Sequence, residues 1–245
     1  MREFVGKAAF VTGGASGIGL ALGRAFAEAG CKVMLADIEK AALDAAVASL
    51  SGSGQEVRGI VCDVADTASV DAAAEATFSA FGKVHILCNN AGVGARGGID
   101  HIALDNWRWV LDVNLMGVVN GVRAFLPHMR AHGEGSHIVN TASMAGVVSS
   151  HQGFAPYPAS KYAVVGMSVR GAGCRVEAFW DWREHIVSGN RPHKHPGKRP
   201  QSPPTLWTAD TRGPVKPALC SICRTGPHWH GPCGGGATSR GRHSQ

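Results

Sequence analysis

The sequence predicts an α/β domain on a doubly wound parallel sheet, and three observations predict it. Short β-rich apolar runs alternate with helical stretches between residues 8 and 168, the pattern of a parallel sheet covered on both faces. The run Thr12-Gly13-Gly14-Ala15-Ser16-Gly17-Ile18-Gly19 joins the first β-rich run to the first helix. An acid, Asp37, follows the second run, eighteen residues after Gly19.

Taken in order, residues 8–12 (AAFVT) form an apolar run that suits a buried parallel strand. Residues 17–29 open on glycine and continue as a helix. Residues 32–36 (KVMLA) form the second strand, and alanine-rich residues 39–50 the second helix. The third strand is 57–61 and its helix 67–81; the fourth strand is 85–88 and its helix the long stretch 106–132. A fifth strand at 137–140 precedes a helix at 155–168. No internal repeat is present, and the apolar run at 8–11 is too short for a signal peptide or a membrane span. The expectation is a chain with no membrane partner.

Composition divides the chain at residue 168. Residues 1–168 hold 12 Lys and Arg against 14 Asp and Glu, whereas residues 169–245 hold 12 against 4. Nine of the 12 prolines and four of the six tryptophans also fall after 168. The overall charge of +6 therefore belongs to the tail, and it gives no ground for nucleic acid binding by the first part. Seven cysteines without a secretory signal fit a reducing, cytoplasmic setting. Two segments follow: 1–168, which carries the α/β pattern, and 169–245, a basic, Pro- and Gly-rich tail expected to be irregular or disordered.

The glycine run has a physical reading. Gly13 allows a tight turn, Gly17 lets the backbone approach a pyrophosphate, and Gly19 lets the helix pack closely on the sheet. The helix start, with Ser16 and Ile18, offers N–H groups and positive dipole to phosphates. Asp37 accepts from the adenosine ribose hydroxyls and repels a 2′-phosphate, so NAD is favoured over NADP.

Tyr157 and Lys161 lie four residues apart on one helix face, with Ser143 fourteen residues upstream. A free tyrosine titrates near ~10. An adjacent ammonium favours the phenolate and brings it toward neutral pH as an acid–base catalyst. Packing roles suffice for Trp107 and Trp109, strand-starting roles for His85 and His137, and a loop position for His151.

The glycine run, Asp63-Val64, Asn89-Asn90-Ala91-Gly92, Asn114, Ser143 and Tyr157…Lys161 together resemble the short-chain dehydrogenase/reductase family, in family order and on the expected elements. The resemblance covers residues 5–168 and implies a Rossmann-like fold. It also implies hydride transfer between NAD and a small-molecule secondary alcohol or ketone. Asp63 would bond the adenine amino group, with Val64 beside the ring. Asn89, Ala91 and Gly92 would line the cofactor and steady the central strand. Asn114 would hold a water in a proton relay, and Ser143 would bond the substrate oxygen. Tyr157 would transfer the proton, while Lys161 binds the nicotinamide ribose and lowers the Tyr157 pKa. The resemblance further implies a homo-oligomer paired through helices 106–132 and 155–168.

After Ser168 the family pattern stops. It calls for a continued helix, a sixth strand, a Pro-Gly turn at the nicotinamide, a substrate lid and a seventh strand. The chain instead reads Val169-Arg170-Gly171-Ala172-Gly173-Cys174, so strands 6 and 7 are expected to be missing. Codons for residues 169–196, read from the second base, permit SEGLAAELKPFGIGVSILCPGIVRTNI. That string resembles the missing helix, strand and Pro-Gly turn in order. The tail then reads as a frameshifted segment, and the chain as a catalytically impaired dinucleotide-binding remnant if the lost parts are required. A different reading takes Cys220, Cys223, His228 and Cys233 as a zinc knuckle that binds single-stranded nucleic acid. Pro227 and Pro232 beside the ligands count against it. The expectation is a chain with no metal and no nucleic acid partner.

Overall fold

In the computed structural model, residues 3–51, 54–148 and 153–168 are described, together with the backbone of 175–179. The chain divides into two compact units, Met1–Val215 and Lys216–Gln245. Every described residue lies in the first. The zinc-knuckle ligands, the proline-rich tail and His151 lie outside the described residues.

The elements run β1 (Ala8–Thr12), α1 (Gly17–Glu28), β2 (Lys32–Asp37), α2 (Lys40–Leu50), β3 (Val57–Val61), α3 (Thr67–Phe81), β4 (Ile86–Asn89), α4 (Leu104–Leu111), α5 (Gly117–Ala131), β5 (His137–Thr141), α6 (Pro156–Ser168) and β6 (Arg175–Phe179). All strands are parallel, in the order β3-β2-β1-β4-β5-β6. The order reverses between β1 and β4, the position where open α/β sheets take ligands beyond their strands' carboxyl ends.

The central strands β1, β2 and β4 are buried on both faces, as their apolar sequences require. Successive residues of β1 serve opposite sides. Ala9 and Val11 join Val33, Leu35, Leu43 and Leu50 on one face, and Phe10 joins Met34, Val70, Leu87, Phe125 and Ile138 on the other. Local signals set the helix ends. Asp66 caps α3 by accepting from the Ala68 N–H at 3.0 Å, and Gly82 ends it at φ 75°. α6 opens on Pro156, where a missing N–H costs no helical bond.

The long helix expected at 106–132 is instead two helices joined by a π-helical turn, Asp112–Met116. There the Gly117 N–H bonds the Asp112 carbonyl, five residues back. By length and composition alone, Leu104–Ala131 could cross a membrane. Its buried Val110, Val118, Phe125 and Met129 instead pack it into the domain.

β6 corrects the expectation that the sixth strand is missing. It pairs in parallel with β5, from His137 opposite Arg175 to Thr141 opposite Phe179. Strand pairing runs through backbone groups, and an open edge at β5 presents a row of them to any segment able to extend. Among the described residues there is no seventh strand.

At the opposite pole from the carboxyl ends, Glu134 gathers Lys7 and His85, each at 2.8 Å, together with Lys83. His85 Nδ1 accepts from the Ala8 N–H at 3.2 Å, so its Nε2 proton points to Glu134 and the ring is structural. Cys31, Cys62 and Cys88 are buried free thiols, and burial raises the pKa of each.

Candidate active site

The carboxyl ends of β1, β2, β4 and β5 meet over the reversal point, and the expected site residues lie there. Gly13 sits at φ 65° and turns the chain out of β1. A Cβ on Gly19 would stand 2.0 Å from the Gly13 carbonyl oxygen, so no larger residue lets α1 start this close to β1. Ser16, Gly17 and Ile18 are exposed at the helix start. The Ser16 side chain makes no capping bond there, and first-turn N–H groups have no intrahelical partner.

Asp37 closes β2. Its Oδ2 accepts from the Ala15 N–H at 3.0 Å and its Oδ1 from the Glu39 N–H at 3.1 Å. The Gly14 N–H bonds the Ala36 carbonyl at 3.0 Å. The acid and the glycine turn are therefore one hydrogen-bonded unit. Asp63 Oδ1 accepts from the Ala65 N–H at 2.9 Å. Val64 is buried, and its carbonyl accepts from Asn120 Nδ2 at 2.9 Å.

Beyond β4, Asn90 ties three strands together. Its Nδ2 donates to the Thr12 carbonyl at 3.1 Å, and its Oδ1 accepts from Thr141 Oγ1 at 3.1 Å. Thr12 Oγ1 accepts from the Asn90 and Ala91 N–H groups at 2.9 and 3.0 Å. Asn89 points into the interior and donates to Asn140 Oδ1 at 2.9 Å, while Asn140 donates to Ser168 Oγ at 3.1 Å. Gly121 lets α5 lie against Asn89, because a Cβ there would stand 2.2 Å from the Asn89 Oδ1. Ala91 and Gly92 then pass beside Asn114 and Lys161: a Cβ on Gly92 would lie 3.4 Å from Asn114 Oδ1 and 3.6 Å from Lys161 Nζ.

Asn114 lies in the π-helical turn and is wholly buried. Its Oδ1 accepts from the Val93 N–H at 2.7 Å, and its Nδ2 donates to the Val93 carbonyl at 2.9 Å and to Ser160 Oγ at 3.0 Å. Both amide hydrogens are therefore held by protein. Ser143 follows β5 and caps the short 3₁₀ turn Met144–Gly146. Its Oγ accepts from the Ala145 N–H at 3.2 Å, which keeps the hydroxyl hydrogen for another acceptor. Gly146 brings that turn against α6, since a Cβ there would meet the Lys161 carbonyl oxygen at 2.7 Å.

Tyr157 and Lys161 occupy the first turns of α6. The Tyr157 N–H bonds the Phe154 carbonyl at 3.0 Å. Lys161 is 4 % exposed, and its Nζ donates to the Thr141 carbonyl at 2.7 Å. The ammonium stands 5.7 Å from the centre of the Tyr157 ring. Burial pulls its pKa down to about 8. It is thus roughly nine-tenths charged at pH 7, and a cation this close favours the phenolate.

Four residues of this region were not singled out as site residues from sequence: Thr12, Asn90, Thr141 and Ser160. Three are polar positions at or next to the ends of apolar strands. Buried polar groups must find partners, and that is the signal that could have found them. Ser160 shared a helix with the Tyr–Lys pair, but its partner Asn114 is 46 residues away in sequence.

The model of the short chain dehydrogenase family matches residues 7–172. A C alpha-dehydrogenase of Sphingobium sp. (strain NBRC 103272 / SYK-6) is 39% identical over 168 residues, covering 68% of this chain and 55% of that one. A D-threitol dehydrogenase of Mycolicibacterium smegmatis is 42% identical over 163 residues, covering 66% and 62%. Among solved structures, a short chain dehydrogenase/reductase from Burkholderia phymatum in complex with NAD superposes with a TM-score of 0.70. It is 45% identical, with coverage of 74% of this chain and 66% of that one. An NAD+-bound xylitol dehydrogenase gives a TM-score of 0.65 at 36% identity, covering 68% and 64%. The chain spans less than two thirds of the length of the first of these curated relatives.

Proposed function

The chain belongs to the short-chain dehydrogenase family, and on that premise we propose that it is an NAD-dependent oxidoreductase. It acts on a small secondary alcohol or its ketone, with Tyr157 as general acid and base. The observation that carries this reading is the buried Lys161 ammonium held 5.7 Å from the Tyr157 ring.

The residues present fit a dinucleotide. The uncapped start of α1 offers N–H groups to the phosphates through Ser16, Gly17, Ile18 and Gly19, and Gly13 opens the turn. A Cβ on Gly17 would meet nothing within 4 Å, so the surface there is open to a ligand. Asp37 faces the ribose hydroxyls and disfavours a 2′-phosphate, hence NAD over NADP. Asp63 and Val64 take the adenine. Ala91 and Gly92 line the path to Lys161, with Asn89 holding the strand beneath them. When bound, nicotinamide supplies the hydride acceptor or donor.

The chain's own residues handle the proton. Ser143 donates its hydroxyl hydrogen to the substrate oxygen. The Tyr157 phenolate takes the alcohol proton, or the phenol returns it to a ketone. The Lys161 charge keeps that phenolate accessible near neutral pH. Asn114 belongs to the same proton path, and its side chain fixes the Val93 backbone. Turnover of a panel of secondary alcohols with NAD, followed as NADH absorbance, tests the proposal. Activity that survives Tyr157→Phe unchanged would refute it.

A second reading has its own observation. The family match ends at residue 172, beside the composition break at 168. On this reading residues 169–245 are translated out of frame, and the chain is a remnant that binds NAD without turnover. The coding DNA tests the frame: early stops in the shifted frame would refute it. Light scattering tests the further proposal of a homo-oligomer through α4, α5 and α6, and cell fractionation tests the cytoplasmic location.

A further inference from the structure

We propose that Ser160 is a positioning residue that sets the Tyr157–Lys161 pair. It rests on the acid–base reading of that pair given above. Ser160 lies between the two residues in α6 and is wholly buried. Its Oγ accepts from Asn114 Nδ2 at 3.0 Å and donates to the Tyr157 carbonyl at 2.7 Å.

These bonds complete a chain across three elements. The Val93 backbone, next to Ala91-Gly92, pairs with the Asn114 side chain through two bonds of 2.7 and 2.9 Å. Asn114 projects from the π-helical turn and passes its second amide hydrogen to Ser160. Ser160 passes its hydroxyl hydrogen to the carbonyl of Tyr157. The loop after β4, the α4–α5 helix and the first turn of α6 are thereby joined at the reacting end. π-helical turns are uncommon and recur at functional sites. Here the turn serves the bond to Ser160.

The consequence is electrostatic. Attraction between an ammonium and a phenolate falls with distance and rises as water is excluded. If the first turn of α6 loosens, Lys161 gains water and Tyr157 moves from it. The phenol then titrates higher. Ser160→Ala removes the acceptor of a buried Asn114 hydrogen as well as the donor to the Tyr157 carbonyl, so both ends of the link are lost.

The chain has two tyrosines, Tyr157 and Tyr162. In a Tyr162→Phe background the phenolate absorbance of the full chain therefore reports Tyr157 alone, with neither substrate nor cofactor present. Ser160→Ala is expected to raise the midpoint by about one unit, a tenfold loss of phenolate near neutral pH. Ser160→Thr, which keeps the hydroxyl, is expected to hold it near its original value. Asn114→Ala should raise it similarly, and the double variant no further than either single one, as for members of one network. Should Ser160→Ala not fold, Ser160→Cys replaces the hydroxyl by a weak donor at similar size and should give a smaller upward shift. An unchanged midpoint in folded Ser160→Ala or Ser160→Cys, or additive shifts, would overturn the proposal. Absent turnover with these shifts intact would count against the oxidoreductase reading and leave the role of Ser160 standing.

Discussion

Lys161 makes a prediction that stability measurements can test without any substrate. Its pKa falls from 10.5 to about 8 on burial. Between those values the unfolded chain binds a proton at this site that the folded chain does not, so stability must rise with pH across the window. Below about 8 both states carry the charge, and the folded state bears the full desolvation cost. A shift of this size corresponds to about 3 kcal/mol. Integrating the linkage, roughly 1 kcal/mol is relieved between pH 7 and 9 and roughly 2 kcal/mol by pH 10. Other groups titrate in the same range, so the measurement is a difference: urea unfolding of the parent and of Lys161→Met at pH 7, 8, 9 and 10. The Met side chain has similar length and no charge. The advantage of Lys161→Met over the parent should shrink by those amounts as pH rises. The absolute offset carries the lost bond to the Thr141 carbonyl, but the slope does not. Parallel stability curves would refute the reasoning, because they would mean Lys161 keeps its charge hydrated in the fold.

The remaining predictions concern binding and chemistry. Tyr157→Phe should lower kcat by about 10²- to 10⁴-fold, the range for losing a general acid–base group, while calorimetry with NAD shows affinity within severalfold. Gly19→Ala should abolish NAD binding and cost about 1–3 kcal/mol or more in urea unfolding, because the new Cβ meets the Gly13 carbonyl oxygen at 2.0 Å. Asp37→Ala should weaken NAD by about tenfold and narrow its preference over NADP, consistent with one lost charge-assisted bond; equal losses for both cofactors would argue that Asp37 only braces the Ala15 turn. Ser143→Ala should reduce kcat and leave NAD affinity unchanged, since Ser143 bonds the substrate oxygen in the proposed site.

How much of this was readable from the sequence depends on the range of the interaction. β1 to β5 follow from local apolar runs, and the structure places them within a residue or so of the expected bounds. Gly13 and Gly19 were legible because a tight turn and a close helix start tolerate almost nothing else. The π-helical turn was not legible: residues 106–132 have one continuous helical pattern, and the extra residue in the turn is selected by the contact of Asn114 with Val93 and Ser160. Ser160 was hidden for the same reason. β6 was hidden for a different one, since its partner is a backbone edge that has no sequence signature of its own.

These two kinds of contact divide the site. The proposed adenine end rests on α1, on Asp37 and on the 62–67 turn, which Asn120 pins to α5 through Val64 and Thr67. Each of these bonds closes within residues before 168. The proposed catalytic end rests on α6, whose last residue, Ser168, completes the buried ladder from Asn89 through Asn140. Tyr157, Lys161 and Ser160 are thus anchored within the family-matched segment, residues 7–172. On the proposed function, cofactor grip and proton chemistry therefore lie upstream of residue 168. If the proposed frame change is real, turnover should be lost before affinity for NAD, which titration calorimetry with NAD beside an NADH absorbance assay would check.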